Sequence, residues 1–212
     1  MIYLIGGPPR CGKTTLAKAL SKKLKISWIS ADALECASRP YVPKKNQKKK
    51  YPYSYLRGHG KDRNNDEFYS IYSTTKIISV LKKQAKTVET AVEMFIAHEL
   101  DNHNDYIIEG YHITPAFRTK MVKTYGKKNI RTVFLTKFDA EQFAKDVHKS
   151  STPNDWLLVL TKKEETFLKV GKMVAKYSEY FEKEAKKFKL KTVNMDKNFS
   201  KQIKEAVKLL QN

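Results

Sequence analysis

Met1 to Leu24 reads MIYLIGGPPRCGKTTLAKALSKKL, and this stretch decides the fold. Apolar and aromatic residues from Met1 to Ile5 make a buried-type strand, a glycine pair follows, and a periodic helix closes the stretch. Between strand and helix lies Gly7-Pro8-Pro9-Arg10-Cys11-Gly12-Lys13-Thr14, followed by Thr15. This is the G-x-x-x-x-G-K-[ST] pattern of a phosphate-binding loop. The spacing has a physical reading. Gly7 and Gly12 take backbone angles closed to other residues, so that amide N–H groups converge on one anion. The helix that follows points its free N–H groups and positive dipole end at the same anion. Lys13 would reach the β- and γ-phosphates, and the Thr14 hydroxyl would hold Mg²⁺. Leu16, Ala17, Leu20 and Leu24 share one helical face, so the strand–loop–helix context of the motif is present.

Composition frames the rest. The chain has 212 residues, 41% of them hydrophobic, enough for one α/β domain with a core. The net charge is +20, and its 42 basic residues are six Arg and 36 Lys. A nucleic-acid reader leans more on Arg, whose planar fork grips phosphates and base edges. A field of this sign still draws in anions of any class. Of the two cysteines, Cys11 stands inside the loop, where a disulfide would obstruct the site, so a reduced, cytoplasmic protein is expected. The leading apolar run is too short for a signal peptide, and no run approaches the roughly 20 residues of a membrane span.

Strands are expected at Ile2–Gly6, Ile26–Ile29, Tyr106–Glu109, Ile130–Thr136 and Lys191–Met195, with helices between them. That alternation argues a parallel sheet covered on both faces. Asp32, just past the second strand, has two readings: it aligns or deprotonates an acceptor hydroxyl, or it caps a helix. Glu35, one turn on, reads as a solvated helix residue. Glu109 closes the third strand, where a carboxylate holds a metal-bound water or positions a nucleophile. Thr114 and Pro115 read as the cap and first residue of the next helix, and His112 before them as an acceptor contact or an ordinary loop histidine.

Residues 38–67 carry three prolines, a lysine run, and tyrosines 41, 51, 53 and 55, with little apolar periodicity. This segment reads as a substrate-side flap or insertion that offers Arg57, Arg63 or a lysine to an anionic acceptor. A basic–aromatic nucleic-acid surface and a solvated loop are the competing readings. Phe68–Gln84 and Thr87–Leu100 read as two helices. His98 and His103 are five apart, where the helical zinc pattern needs four. Residues 145–156 fall where a phosphotransferase lid would close, with Lys145, His148 and Lys149 as its cations. Trp156–Phe188 reads as mostly helix.

Together, GGPPRCGKTT, SADAL and YIIEGYHITP resemble the P-loop kinases of nucleoside-monophosphate-kinase type. The IIEG-Y-H-I-x-P stretch looks most like 2-phosphoglycerate kinases. The ISADAL stretch is also similar to gluconate kinases, chloramphenicol phosphotransferases and zeta-toxin-like kinases. The resemblance implies a three-layer P-loop fold with a five-stranded parallel sheet. It also implies ATP with Mg²⁺, and γ-phosphoryl transfer to a small acceptor. By it, Gly7, Gly12, Lys13 and Thr14 bind phosphate and metal, and Asp32 and Glu109 join Lys13 as catalytic residues. Members carry lid arginines, and Phe138–Trp156 has none. No motif separates ATP from GTP or names the acceptor. Two other functions compete with a small-molecule kinase: a nucleic-acid-associated NTPase or polynucleotide kinase using the basic surface, and a nucleotide-dependent switch without an acceptor.

Overall fold

The computed structural model describes residues 1–58, 64–150, 152 and 154–211. Five parallel strands form one sheet in the order β2-β3-β1-β4-β5: β1 Ile2–Gly6, β2 Ser27–Ser30, β3 Tyr106–Glu109, β4 Ile130–Thr136 and β5 Thr192–Asn194. β1 is central and buried along its length, as its unbroken apolar sequence requires. Parallel register sets Ile5 beside Glu109 and Ser30 beside Glu109, so the strand ends carrying the phosphate loop, the SADAL stretch and the acid lie side by side.

The helices are α1 Lys13–Leu24, α2 Ala31–Ser38, α3 Lys44–Lys50, α4 Pro52–Leu56, α5 Asn65–Ile71, α6 Thr74–Asp101, α7 Pro115–Tyr125, α8 Ala140–Val147, α9 Trp156–Val159, α10 Glu164–Lys187 and α11 Phe199–Gln211. α1 and α11 pack on each other, and between them contact all five strands. α10 packs on β4, α6, α7 and α8, while α2 and α4 pack on α6. The core runs through both layers, from Leu16 and Leu20 to Phe134, Tyr177 and Phe181.

Four expectations differ from the structure. Residues 44–56 are helical, as α3 and α4, with Tyr51 buried between them. Lysine runs leave helix propensity intact, and Tyr51 and Ser54 supply the inward anchors. The two helices expected over 68–100 are α5 followed by one 28-residue helix, α6. Ala85 and Val88 keep its buried stripe continuous through Lys86-Thr87, and neither Gly nor Pro interrupts it. Trp156–Phe188 is mostly helix, as expected, with a break between Leu160 and Lys163, where Asn65 binds the chain: its amide N–H donates to Leu160 O at 2.9 Å and its side chain to Thr161 Oγ1 at 2.9 Å. β2 begins one residue later than expected, and β5, Thr192–Asn194, is one residue shorter at each end than the expected Lys191–Met195. Among the described residues, no helix is long and apolar enough to cross a membrane.

Candidate active site

The phosphate loop joins β1 to α1 in the conformation its glycines allow. Gly7 has φ 136°, Arg10 φ 64° and Gly12 φ 90°. A Cβ on Gly7 would overlap the carbonyl oxygen of Leu135 in β4, so the loop starts flush against the sheet. Gly12 caps α1 without a side-chain hydrogen bond, and the first turn of α1 holds no acid. By contrast, Ser30, Ser73, Thr114 and Asp139 each cap their helix with a side-chain oxygen. The amides of the α1 first turn therefore stay free to bind an anion. Lys13 is buried, and its Nζ donates to Pro8 O at 2.6 Å across the loop. The buried Cys11 thiol is pushed up to about 11 by burial, against the opposing charges of Lys13 and Lys137, so it stays protonated. A backbone cradle, an ammonium and an uncapped helix end together fit a polyphosphate.

Thr14 Oγ1 donates to Glu109 Oε1 at 2.9 Å, which brings a hydroxyl and a buried carboxylate together at the edge of the cradle. That donor set, oxygen only and partly charged, fits Mg²⁺. Burial raises the Glu109 carboxyl above its usual value, Lys13 opposes the rise, and Asp32 adds to it. Pro8, Pro9 and Thr15 complete the loop, with Thr15 exposed. Arg10 is ion-paired with Asp155, which is itself buried and also accepts from Ser150 Oγ at 2.6 Å.

Asp32 lies in the first turn of α2 and is 67% exposed. It is not the helix cap: Ser30 Oγ accepts the Asp32 N–H at 3.2 Å. The reading of Glu35 as solvated is overturned, since the residue is 5% exposed and forms the hub of a network. Its Oε1 accepts from Arg39 Nη2 at 2.8 Å and Ser54 Oγ at 2.9 Å. Its Oε2 accepts from Tyr111 Oη at 3.2 Å and meets His112 Nε2 at 3.0 Å. Gln84 of α6 donates to both Ser54 Oγ, at 3.0 Å, and Tyr111 Oη, at 3.2 Å. Burial alone would raise the Glu35 carboxyl. The hydrogen bond and charge of His112, aided by Gln84 and Ser54, instead lower it to about 2. Asp32, Glu35 and His112 bring potential ligand atoms within 4.8 Å of one another, but the Glu35 oxygens are already engaged by these donors.

The residues expected on the acceptor side divide. Arg57 donates to Asn65 Oδ1 at 2.8 Å and lies over the Phe68 ring, which makes it a staple between α4 and α5. Arg63 falls outside the described residues, as do Ser151 and Pro153 of the expected lid. His148 meets Glu164 Oε2 at 3.2 Å and Lys149 donates to Asp146 at 2.9 Å. The sequence carried one overlooked signal for Glu35: it stands four residues after Ala31, on the stripe that α2 buries. Asp155 had none.

Over 122 residues the chain is 28% identical to the mevalonate-3-phosphate 5-kinase of Thermoplasma acidophilum; the match covers 57% of this chain and 55% of that protein. A gluconokinase from Sinorhizobium meliloti 1021 superposes with a TM-score of 0.53 at 13% identity, over 99% of this chain and 90% of that one. A sugar kinase from Janibacter sp. HTCC2649 does so with a TM-score of 0.51 at 12% identity, over 99% and 94%. Both share the fold. Residues 3–108, from β1 through β3, match the family model described as ATPase family associated with various cellular activities (AAA). With half its length, from β1 through the phosphate loop and Thr14 into β3, in that match, this chain belongs to the AAA family.

Proposed function

We propose that the protein is an ATP- and Mg²⁺-dependent phosphotransferase that moves the γ-phosphoryl group to the hydroxyl of a small anionic acceptor. One observation carries the reading. An uncapped helix end with a buried lysine faces, across one strand end, a threonine–carboxylate pair and an exposed aspartate. Such an arrangement suits transfer rather than binding alone, because phosphoryl transfer is catalysed by positioning and charge neutralisation. In this reading the loop amides of residues 7–15 and Lys13 bind the triphosphate. Thr14 and Glu109 would hold Mg²⁺, which when bound supplies countercharge to the phosphates. Asp32 aligns the acceptor hydroxyl and takes its proton. The whole chain acts as one domain, with residues 38–67 as the acceptor-side flap and residues 145–156 as the lid. The kinase relatives support the reaction class, and the basic surface supports an anionic acceptor.

The test is acceptor-dependent ADP formation over a panel of phosphorylated hydroxy acids and sugar acids, mevalonate 3-phosphate included, with ATP and GTP compared. One acceptor should raise turnover well above the hydrolysis background, and Lys13→Ala should abolish it while the unfolding transition persists. Turnover by Lys13→Ala equal to the parent would falsify the mechanism. Hydrolysis that no acceptor changes would instead favour an NTPase switch.

A second reading has its own observation. Lys48, Lys49, Lys50, Lys76, Lys83 and Lys86 line one groove of about 530 Å³ between α3–α4 and α6, together with Pro52, Tyr55, Leu56, Val80 and Thr87. A single-stranded nucleic acid would fit such a groove. It would bind with an affinity that falls steeply with salt, and no binding at physiological salt removes this reading.

A further inference from the structure

We propose that His112 is the buried partner of Asp32: a positioning residue whose Nδ1 shares the proton that Asp32 takes from the acceptor hydroxyl. The inference rests on the phosphotransferase reading above and extends it by one residue.

Three features of the network lead to it. First, Glu35 fixes the histidine tautomer. An ionised carboxylate only accepts, and Glu35 Oε2 meets His112 Nε2 at 3.0 Å, so Nε2 carries a hydrogen. Second, that leaves Nδ1 as the basic nitrogen, and it is orphaned. His112 is 1% exposed and its Nδ1 has no hydrogen-bond partner; in the same network Arg39 Nε also lacks one, but a guanidinium nitrogen cannot act as a base. A buried polar atom without a partner is costly and calls for an explanation. Third, its nearest charged neighbour is Asp32, whose Oδ1 lies 3.7 Å away. Asp32 is 67% exposed, so a small side-chain rotation closes that gap while its second carboxylate oxygen stays open to an acceptor.

The chain builds this arrangement deliberately. Gly110 lets the backbone bring His112 against α2: a Cβ there would stand 2.8 Å from Ala31 Cβ and 3.2 Å from His112 Nδ1. The Tyr111 ring lies against the imidazole, with centroids 3.8 Å apart and planes tilted by 34°, while its hydroxyl donates to Glu35. The charged and titratable groups facing the pair are Glu35 and Asp32 from α2, Arg39 through Glu35, Tyr111, and Glu109, which feels the charge of Asp32. Ser54 and Gln84 complete the wall as neutral donors.

The proton balance is simple. The acceptor oxygen bonds the γ-phosphorus, the bond to the β-phosphate bridge breaks, and ADP departs. The hydroxyl proton passes to the Asp32 carboxylate, which shares it with His112 Nδ1. The resulting imidazolium stands between two carboxylates, Glu35 and Asp32. When the product leaves, the proton returns to water through the exposed face of Asp32.

The test has two arms. Imidazole ¹⁵N NMR of the unliganded protein should show the Nε2–H tautomer for His112. Its titration midpoint should fall by a readily resolved amount in Asp32→Asn, which removes the neighbouring anion. An unchanged midpoint and tautomer overturns the proposal whether or not an acceptor is known. The second arm is kinetic. His112→Gln keeps a donor for Glu35 but removes the base. It should lower kcat about 10- to 100-fold with KM little changed, and should flatten the acid limb of the kcat–pH profile. A His112→Gln enzyme with the parent's kcat and pH profile overturns the proposal even if the NMR coupling is present. Should His112→Gln not fold, the NMR arm, which uses the parent and Asp32→Asn, decides. Loss of all phosphotransfer by the parent, with the NMR coupling intact, refutes the phosphotransferase reading and leaves the Asp32–His112 pair standing.

Discussion

Thr14 and Glu109 are joined by a 2.9 Å hydrogen bond that ties the first turn of α1 to the end of β3. The bond holds a carboxylate in a place where it is uncomfortable. Burial raises the Glu109 carboxyl above its ordinary 4.5, with Lys13 opposing and Asp32 assisting. A raised acid holds its proton more firmly in the folded state. The fold is therefore stabilised at low pH, and loses that stability as the pH rises through the shifted value. Glu109→Gln keeps an acceptor for Thr14 and removes the charge. It should unfold at the same or a higher temperature than the parent at pH 7 without nucleotide, and the difference should shrink below pH 4.5. Turnover should fall by about 100-fold or more, because a group aimed at developing charge is lost. A Glu109→Gln protein clearly less stable than the parent at pH 7 would contradict this account.

Arg10 and Asp155 predict the opposite balance. Asp155 is buried, and burial would raise its carboxyl, but Arg10, Ser150 and the Leu157 amide together lower it. Its stabilisation is present above the ordinary 3.8 and disappears as the pH falls through the lowered value. Asp155→Asn should cost about 1–3 kcal/mol at pH 7, since it strands a half-buried guanidinium. Chemical denaturation at pH 7 and pH 3 checks this: the gap between parent and variant should narrow at the lower pH. Saturating nucleotide, which offers Arg10 a new anionic partner, should also narrow it. A pH-independent gap would mean that the ion pair contributes nothing.

How much of this was legible in the sequence follows from which forces are local. The loop, its strand and its helix are written in glycine spacing and apolar periodicity, and the structure places them within a residue of expectation. The strand order β2-β3-β1-β4-β5 is set by long-range pairing and was not read from the sequence. Glu35 was misread because a carboxylate on a short helix is usually solvated. Its burial depends on Ser54, Gln84, Tyr111 and His112, contributed from 19 to 77 positions away. The helices within residues 38–67 went unseen because lysine-rich helices show little apolar stripe when Tyr51 and Ser54 are buried and only Val42, Tyr53 and Leu56 pack partly against the core. Asp155 was invisible for a similar reason: its partner Arg10 is 145 positions distant.

Gly110 tests whether the end of β3 must approach α2 closely. An added methyl would crowd Ala31 Cβ at 2.8 Å and His112 Nδ1 at 3.2 Å. Neither neighbour is the far end of a flexible side chain, so backbone has to move. Gly110→Ala should therefore destabilise by about 1–3 kcal/mol, as overpacking does. It should also pull His112 away from Glu35, visible as a change in the His112 imidazole NMR signals. A variant as stable as the parent, with unchanged His112 signals, would show that the segment has slack.

Glu35 makes the most demanding case, because its buried charge accepts from Arg39, Ser54 and Tyr111 and meets His112. Its carboxyl titrates near 2 when folded and near the ordinary 4.5 when unfolded. A lowered acid stabilises the fold above 4.5, and that stabilisation is lost as the pH falls toward 2. At about 1.4 kcal/mol per unit, the difference is on the order of 3 kcal/mol at neutral pH. Glu35→Gln retains the shape but turns one accepting oxygen into an NH₂ that faces donors from Arg39 and Ser54, or from Tyr111 and His112. Urea unfolding should find it roughly 2–4 kcal/mol less stable at pH 7, because buried donors lose their acceptor. The deficit should narrow below pH 4.5 and nearly close toward pH 2, where the parent carboxyl is itself protonated. A deficit that stays constant from pH 7 to pH 3 would mean that shape, not charge, is what Glu35 supplies to the α2–α4–α6 junction.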